Sequence, residues 1–131
     1  MIAMPDRILP APEPNPETKP YWDAAAEGRL LIRRCSACGR AHHYPRALCP
    51  FCFSDRTEWQ RASGNGTLYS FSVMQRAPVP YAIAYVTLDE GPSMMSNLVD
   101  CDFDTIRIGM KLKAIFKPTE GGLKLPMFAP A

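Results

Sequence analysis

Acidic side chains are missing from a long stretch of this chain, because no Asp or Glu lies between Gly28 and Ser54. Positive charge is therefore concentrated there, while residues 63–131 carry six basic and six acidic side chains and balance. A protein that tracks along DNA or RNA needs a row of cations, and the second half offers no such row. The arginines in the acid-free stretch are Arg29, Arg33, Arg34, Arg40 and Arg46.

Long apolar runs are also missing. The apolar, β-forming run Tyr81–Leu88 is far too short to cross a bilayer, so we expect no membrane span. No basic start leads into an apolar segment, and residues 1–19 instead carry five of the fourteen prolines. We expect a cytoplasmic protein with reduced thiols, whose first residues form an extended arm that is either mobile or draped on a surface.

The 131 residues and the hydrophobic fraction of 47% suffice for one real core. We expect an arm and short helix over residues 1–29, a cysteine module over 30–60 and a barrel over 61–131. Asn15 can cap the helix, Pro16 fits a first helical position, and Pro20 has to lie in the first turn or delay the start. The apolar stripe of this helix is Tyr21, Trp22, Ala25 and Ala26, and it ends at Gly28.

Short strands separated by turn residues follow the cysteine module. Four or five short strands in about 65 residues favour a small closed barrel, because closure removes the exposed strand edges. The fold class is therefore mainly β. The predicted strands are Thr67–Met74, Tyr81–Leu88, Ser93–Val99, Met110–Phe116 and Leu123–Phe128.

Four cysteines occur as two Cys-x-x-Cys pairs that are separated by ten residues: Cys35, Cys38, Cys49 and Cys52. Each pair lets two thiolates from one tight turn reach the same ion, and four thiolates close a tetrahedron around Zn²⁺. The pattern predicts one structural zinc with these four residues as its only protein ligands. Iron in a rubredoxin-like site and redox-active thiols are the alternatives. A fifth cysteine, Cys101, is expected to be a small buried apolar residue.

The remaining polar residues leave two questions open and show no catalytic constellation. His42 and His43 could replace a cysteine ligand, but we expect both in the loop between the knuckles. The arginines could offset the charge of a zinc tetrathiolate, or they could bind phosphates or an acidic partner. Aromatic residues on the barrel strands are expected to lie in the core rather than to stack on the bases of a nucleic acid.

Six stretches of the chain resemble, in order, a known family. "KPYWDAAAEGRLLIRRCSACGR" resembles the family's entry helix and first knuckle, and "YPRALCPFC" resembles its second knuckle. "SGNGTLYSFSV", "YAIAYVTLDEG" and "IRIGMKL" resemble its barrel strands, and "LPMFAPA" its usual ending. The family is that of the OB-fold, acyl-CoA-associated zinc-ribbon proteins, long catalogued as a domain of unknown function.

The resemblance implies a helical arm, a rubredoxin-like zinc ribbon and a five-stranded OB barrel. Its members are non-catalytic partners of thiolase-superfamily enzymes, namely thiolases and lipid-transfer-protein-like aldolases. We therefore expect an accessory subunit in a hetero-oligomer, with acyl-CoA shared at the interface. The alternative is a nucleic-acid-binding module. The candidate contacts to the partner or to CoA are Arg46, Phe53, Tyr21 and Trp22.

Overall fold

The computed structural model describes residues 8–131, so the part of the predicted arm that includes Pro5 lies outside the described residues. The mainly β fold is confirmed. The elements are α1 Lys19–Ala26, β1 Leu31–Cys35, β2 Ala41–His42, β3 Thr57–Arg61, β4 Asn65–Met74, β5 Tyr81–Leu88, β6 Ser93–Leu98, a 3-10 turn Phe103–Thr105, β7 Lys111–Pro118 and β8 Lys124–Pro130.

Helix α1 begins later than its sequence signals indicate. Asn15 does form a cap, but the cap closes a turn that precedes the helix: its Oδ1 accepts from the Thr18 N–H at 3.0 Å. Pro20 then lies in the first turn of the helix, where a missing N–H costs nothing. The buried stripe contains Ala24 in place of the predicted Ala26, which is exposed.

The cysteine module contains a small antiparallel sheet in the order β2-β1-β3. Strand β1 is central, so Arg33 lies opposite His42 on one side and opposite Trp59 on the other. Ile32 is fully buried and turns towards the barrel core. The sheet therefore connects the metal knuckles to the rest of the molecule.

The predicted closure of five strands into a barrel is confirmed. The strand order around the barrel is β4-β5-β6-β8-β7. Every pair is antiparallel except β6 with β8, which run parallel and pair at Leu98 and Phe128. Strand β4 carries a bulge between Leu68 and Ser70, which bends the strand around the barrel. The observed strand ends lie within two residues of the predicted ones.

One hydrophobic core joins the helix, the ribbon and the barrel. Tyr21 of α1 and Ile32 of β1 belong to the same buried cluster as Leu68, Leu98 and Phe128 of the barrel. Residues 8–131 contain no helix that is long and apolar enough to cross a membrane. The metal module and the barrel are thus packed as one body.

Candidate metal centre and neighbouring surfaces

The two knuckles have the same backbone design. In the first, the Gly39 N–H donates to the Cys35 carbonyl at 2.8 Å, and in the second the Phe53 N–H donates to the Cys49 carbonyl at 2.9 Å. Gly39 and Phe53 are equivalent, since each follows the second cysteine of its pair. Both have a positive φ, +80° and +63°. Each tight turn brings its two cysteine side chains to the same side.

The four predicted sulfurs meet at one point. All four Sγ atoms lie within 4.8 Å of one another, and the pairs Cys35–Cys52 and Cys38–Cys49 are both 3.7 Å apart. Tetrahedral zinc with Zn–S bonds of about 2.3 Å places its sulfurs roughly 3.8 Å apart. The cluster therefore fits a structural zinc. Neither histidine belongs to the metal-binding cluster found among residues 8–131.

The backbone of the knuckles favours thiolates at two of the four positions. The N–H of Cys38 lowers the pKa of the Cys35 thiol, although burial opposes this. Burial also opposes ionisation of Cys49, but the N–H groups of Cys52 and Phe51, together with the neighbouring thiols, lower the pKa to about 7. At Cys52 a backbone hydrogen bond from Ser54 lowers the pKa, but burial and the other three thiols raise it to about 11. Such N–H donors stabilise the charge that a metal-bound sulfur carries.

The segment between the knuckles fastens α1 to the ribbon. His43 Nε2 and the Tyr21 hydroxyl are 2.9 Å apart, and the Trp22 Nε1–H donates to the Tyr44 hydroxyl at 2.9 Å. Burial lowers the pKa of His43 to about 4, so the ring is neutral at physiological pH. We call these four residues the helix clamp. His42 lies in β2 rather than in the loop, and it is buried.

The arginines of the acid-free stretch do not form one cluster. Arg29 pairs with Glu27 at 2.7 Å, and Arg34 donates to the Gln60 side chain and to the Gly39 carbonyl. Arg33 binds Thr57 and lies over the ring of Trp59, and Arg40 lies over the ring of Phe51. Arg46 is exposed. Most of these cations are thus fixed by neutral groups.

The second knuckle exposes apolar side chains, which we call the ribbon tip: Leu48 at 54%, Phe51 at 49% and Phe53 at 77%. Phe53 is notable because a bulky residue at positive φ is strained, whereas the equivalent Gly39 is not. Arg46 lies two residues before Leu48 and is also exposed. Phe53 and Arg46, both predicted contacts, thus have the accessibility that a contact needs.

Tyr21 and Trp22, the other two predicted contacts, lack this accessibility. They are only 2% and 7% exposed, and their polar atoms are used within the helix clamp. Burial speaks against the expected contact of these two residues with a partner. They instead form one wall of a cavity of about 480 Å³, whose opposite walls come from β5, β6 and β8.

The barrel aromatics correct another expectation. The expectation of core positions is wrong for Tyr69, Phe71 and Tyr85, which are 69%, 37% and 47% exposed. Tyr69 follows the buried Leu68, and Tyr85 lies between the buried Ala84 and Val86, so strand alternation places both rings on the outer side of the barrel. Cys101 is only partly buried, against the edge of the core.

Family models match two consecutive parts of the chain. Residues 22–58 match the family model described as the rubredoxin-like zinc ribbon domain of ChsH2, and residues 59–117 match that of its C-terminal OB-fold domain. A solved structure described as an Ltp2-ChsH2(DUF35) aldolase superposes with a TM-score of 0.81 at 35% identity. That match covers 92% of this chain and 98% of the other.

Two relatives illustrate the range of protein lengths. A DUF35 domain-containing scaffold protein of Methanocaldococcus jannaschii is 36% identical over 73% of this chain and 74% of its own length. A probable enoyl-CoA hydratase alpha subunit of Thermomonospora curvata is 36% identical over 97% of this chain. The chain spans only 41% of the length of that relative.

A closed tetracysteine ribbon joined to a five-stranded OB barrel defines a zinc-ribbon OB-fold protein. With scaffold-protein relatives matched over most of their length, the chain belongs to the DUF35 family.

Proposed function

We propose that the protein is a non-catalytic accessory subunit that docks onto a thiolase-superfamily enzyme, a thiolase or an aldolase, and supports its acyl-CoA chemistry in the cytoplasm. The similarity to the Ltp2-ChsH2(DUF35) aldolase structure over 92% of the chain is the observation that carries the proposal. The hydratase and scaffold names of other relatives also describe members of larger assemblies.

The ribbon tip is the docking surface in this proposal. Exposed aromatic side chains on a rigid base bind at a low entropic cost, because little has to be ordered on association. Phe53 keeps a strained backbone and an exposed ring, a combination that stability alone does not explain. Arg46 supplies a cation at the rim for a carboxylate of the partner or a phosphate of CoA.

Zinc has a structural role in this proposal. Cys35, Cys38, Cys49 and Cys52 hold the ion, and its binding supplies the free energy that fixes both knuckles. Four protein ligands leave no open position for a substrate. The ion therefore shapes the docking surface and takes no part in the reaction.

The described part of the arm braces the chain itself. Leu9 is buried and its carbonyl accepts from the Glu120 N–H, while the Glu17 carboxylate accepts from the Ala47 N–H at 2.7 Å. Removing the whole arm would therefore disturb the fold along with any interface. Single substitutions on the exposed surface give a cleaner test.

A cavity of about 510 Å³ between the ribbon and the β5–β6 turn is the place where we propose that acyl-CoA is shared. Arg34, Arg40 and the ring of Phe51 line it. Guanidinium groups suit phosphates, and an aromatic ring suits stacking with a base.

The test is purification of the tagged protein from its native host, followed by identification of what remains bound at physiological salt. We expect a thiolase-superfamily subunit with the parent protein, and at least tenfold less of it with Phe53→Asp or Arg46→Glu. Arg76→Glu makes the same charge change in the exposed β4–β5 loop and is the matched control. Absence of any such subunit from the parent preparation contradicts the function, whereas equal retention by all variants contradicts only the docking surface.

A nucleic-acid-binding role is the second candidate, favoured by the exposure of Tyr69 and Tyr85 on an OB barrel. The two strands that carry them contain no cation of their own, and the neighbouring lysines belong to β7. For this reason we rank it below the accessory role.

A further inference from the structure

Three adjacent barrel strands contain no charged residue. Strands β4, β5 and β6 read NGTLYSFSVM, YAIAYVTL and SMMSNL, and they form one continuous part of the sheet. Strand β7, on the other side of β4, carries Lys111, Lys113 and Lys117. Exposed sheet surfaces normally carry Lys or Glu, which keep them soluble and apart.

Large apolar side chains cross this charge-free surface in a row. Tyr69, Tyr85 and Met95 are 69%, 47% and 61% exposed. Tyr85 lies directly opposite Met95 across β5 and β6, and on its other side it faces Ser70, the neighbour of Tyr69. Ile108, 68% exposed, extends the row, because the next residue donates its N–H to the Leu68 carbonyl. We call this row with its strands the barrel face.

The chemistry of the barrel face selects its partner. Cations lie at the edge of the face, namely Arg107 beside Ile108 and Lys111, whose Nζ is 3.3 Å from the Thr67 Oγ1 of β4. Strands β4, β5 and β6 carry none, so the centre of the face lacks the row of cations that a polyanion or an anionic membrane needs. Its polar groups are mostly hydroxyls, and a hydroxyl both donates and accepts a hydrogen bond, as Thr87 and Ser93 do with each other at 3.0 Å. A hydroxyl can therefore pair with a copy of itself, which an ammonium or a carboxylate cannot do.

In a twofold dimer the same patch meets itself, so any charge in the patch meets its own sign. The centre of the barrel face, formed by β4, β5 and β6, avoids this repulsion, whereas a patch centred on β7 would bring lysines against lysines. We propose that the barrel face is a homodimer interface, in which Tyr69, Tyr85 and Met95 of one copy pack against the same row of a second copy. Tyrosine and methionine are enriched in the centres of such interfaces.

This interface is independent of the docking surface proposed above. The ribbon tip is built from residues 48–53, and the barrel face from β4, β5, β6 and the loop that contains Ile108. A dimer can therefore present two ribbon tips. If the test of one surface contradicts its proposal, the proposal for the other surface is unaffected.

The experiment measures the mass of the zinc-loaded full chain by light scattering after size exclusion and by sedimentation equilibrium. We expect twice the monomer mass of 14.6 kDa at micromolar concentration. Tyr85→Lys and Met95→Lys should each raise the dimer dissociation constant at least tenfold. Raising NaCl from about 0.1 to about 0.5 M should change it less than twofold, because no ion pairs are involved.

Phe53→Lys is the matched control, since it places the same charge on a comparably exposed ring outside the barrel face. It should leave the dimer intact. Zinc content and thermal unfolding of the lysine variants verify that each still folds. The proposal is overturned by a monomer at all concentrations up to about 0.5 mM, by dimers that survive both lysine variants, or by loss of the dimer in Phe53→Lys. Binding of labelled oligo(dT) that Tyr85→Lys abolishes would make the face a base-stacking surface instead.

Discussion

Gly39 and Phe53 occupy the same position in two equivalent turns, yet only one of them suits the backbone. A left-handed conformation costs a residue with a side chain roughly 1–2 kcal/mol, and glycine avoids that cost. The second knuckle therefore accepts strain in order to carry a ring that is 77% exposed. At this one position stability favours glycine, whereas recognition favours an exposed ring.

Phe53→Gly is accordingly expected to stabilise the protein by about 1 kcal/mol while it weakens docking. Thermal unfolding of the zinc-loaded chain measures the first effect, and retention of the copurified enzyme subunit measures the second. A variant that is less stable than the parent would show that the Phe53 ring packs within its own chain.

Gly39→Ala provides the converse case. An added Cβ at Gly39 meets nothing within 4 Å, so only the backbone conformation is penalised. We expect a loss of about 1 kcal/mol in the free energy of unfolding. Docking should be unchanged, because Gly39 belongs to the first knuckle.

His43 makes the stability of the helix clamp depend on pH. The unfolded imidazole takes up a proton near pH 6.5 and the folded one only near pH 4, so acidification between these values favours the unfolded chain. Between pH 7 and pH 5.5 the free energy of unfolding should fall by about 1 kcal/mol. His43→Gln, measured by denaturant unfolding in excess zinc, should lack this part of the pH dependence. Identical slopes for both proteins would contradict the assignment.

At the level of elements, the ribbon also holds helix α1 in place. The segment that contributes His43 and Tyr44 to the helix clamp is anchored at both ends by metal-binding knuckles. Helix α1 has only eight residues and is too short to be stable without its contacts. Loss of the metal should therefore release α1 as well.

Elemental analysis is expected to find one Zn²⁺ per chain, and Cys35→Ser combined with Cys49→Ser should abolish it. Chelation of the metal should shift the fluorescence of Trp22, because its indole N–H loses the Tyr44 hydroxyl, and added zinc should restore it. Trp59→Phe isolates the Trp22 signal from the second tryptophan. Full metal occupancy in the double variant would disprove the ligand set.

Most elements could be predicted from the sequence, because they follow from local rules. Turn residues on both sides of an apolar, β-forming run marked the ends of β5, and the cysteine spacing identified the knuckles. The bulge between Leu68 and Ser70 and the parallel contact of Leu98 with Phe128 depend on barrel closure. No local pattern encodes a pairing between residues thirty positions apart, and none showed that β4, β5 and β6 share a surface.

For the whole molecule, charge decides between the two candidate functions. Strands β4, β5 and β6 carry aromatic side chains but no cations, so nucleic acid binding should be weak, with a dissociation constant above about 10 μM at physiological salt. Fluorescence anisotropy with labelled single-stranded DNA and RNA measures it, with Tyr69→Ala and Phe71→Ala as variants. Submicromolar binding that either variant abolishes would reverse the ranking.

The shared core limits how this protein can be divided or recombined. Tyr21, Leu30 and Ile32 fill one end of a cluster that Leu68 and Phe128 complete from the barrel. Cutting the chain after residue 60 would remove several large side chains at about 2–5 kcal/mol each, which together rival the entire stability of a small domain. The barrel is therefore not expected to fold alone. A gene fusion that transfers the barrel to another protein has to include the helix and the metal module as well.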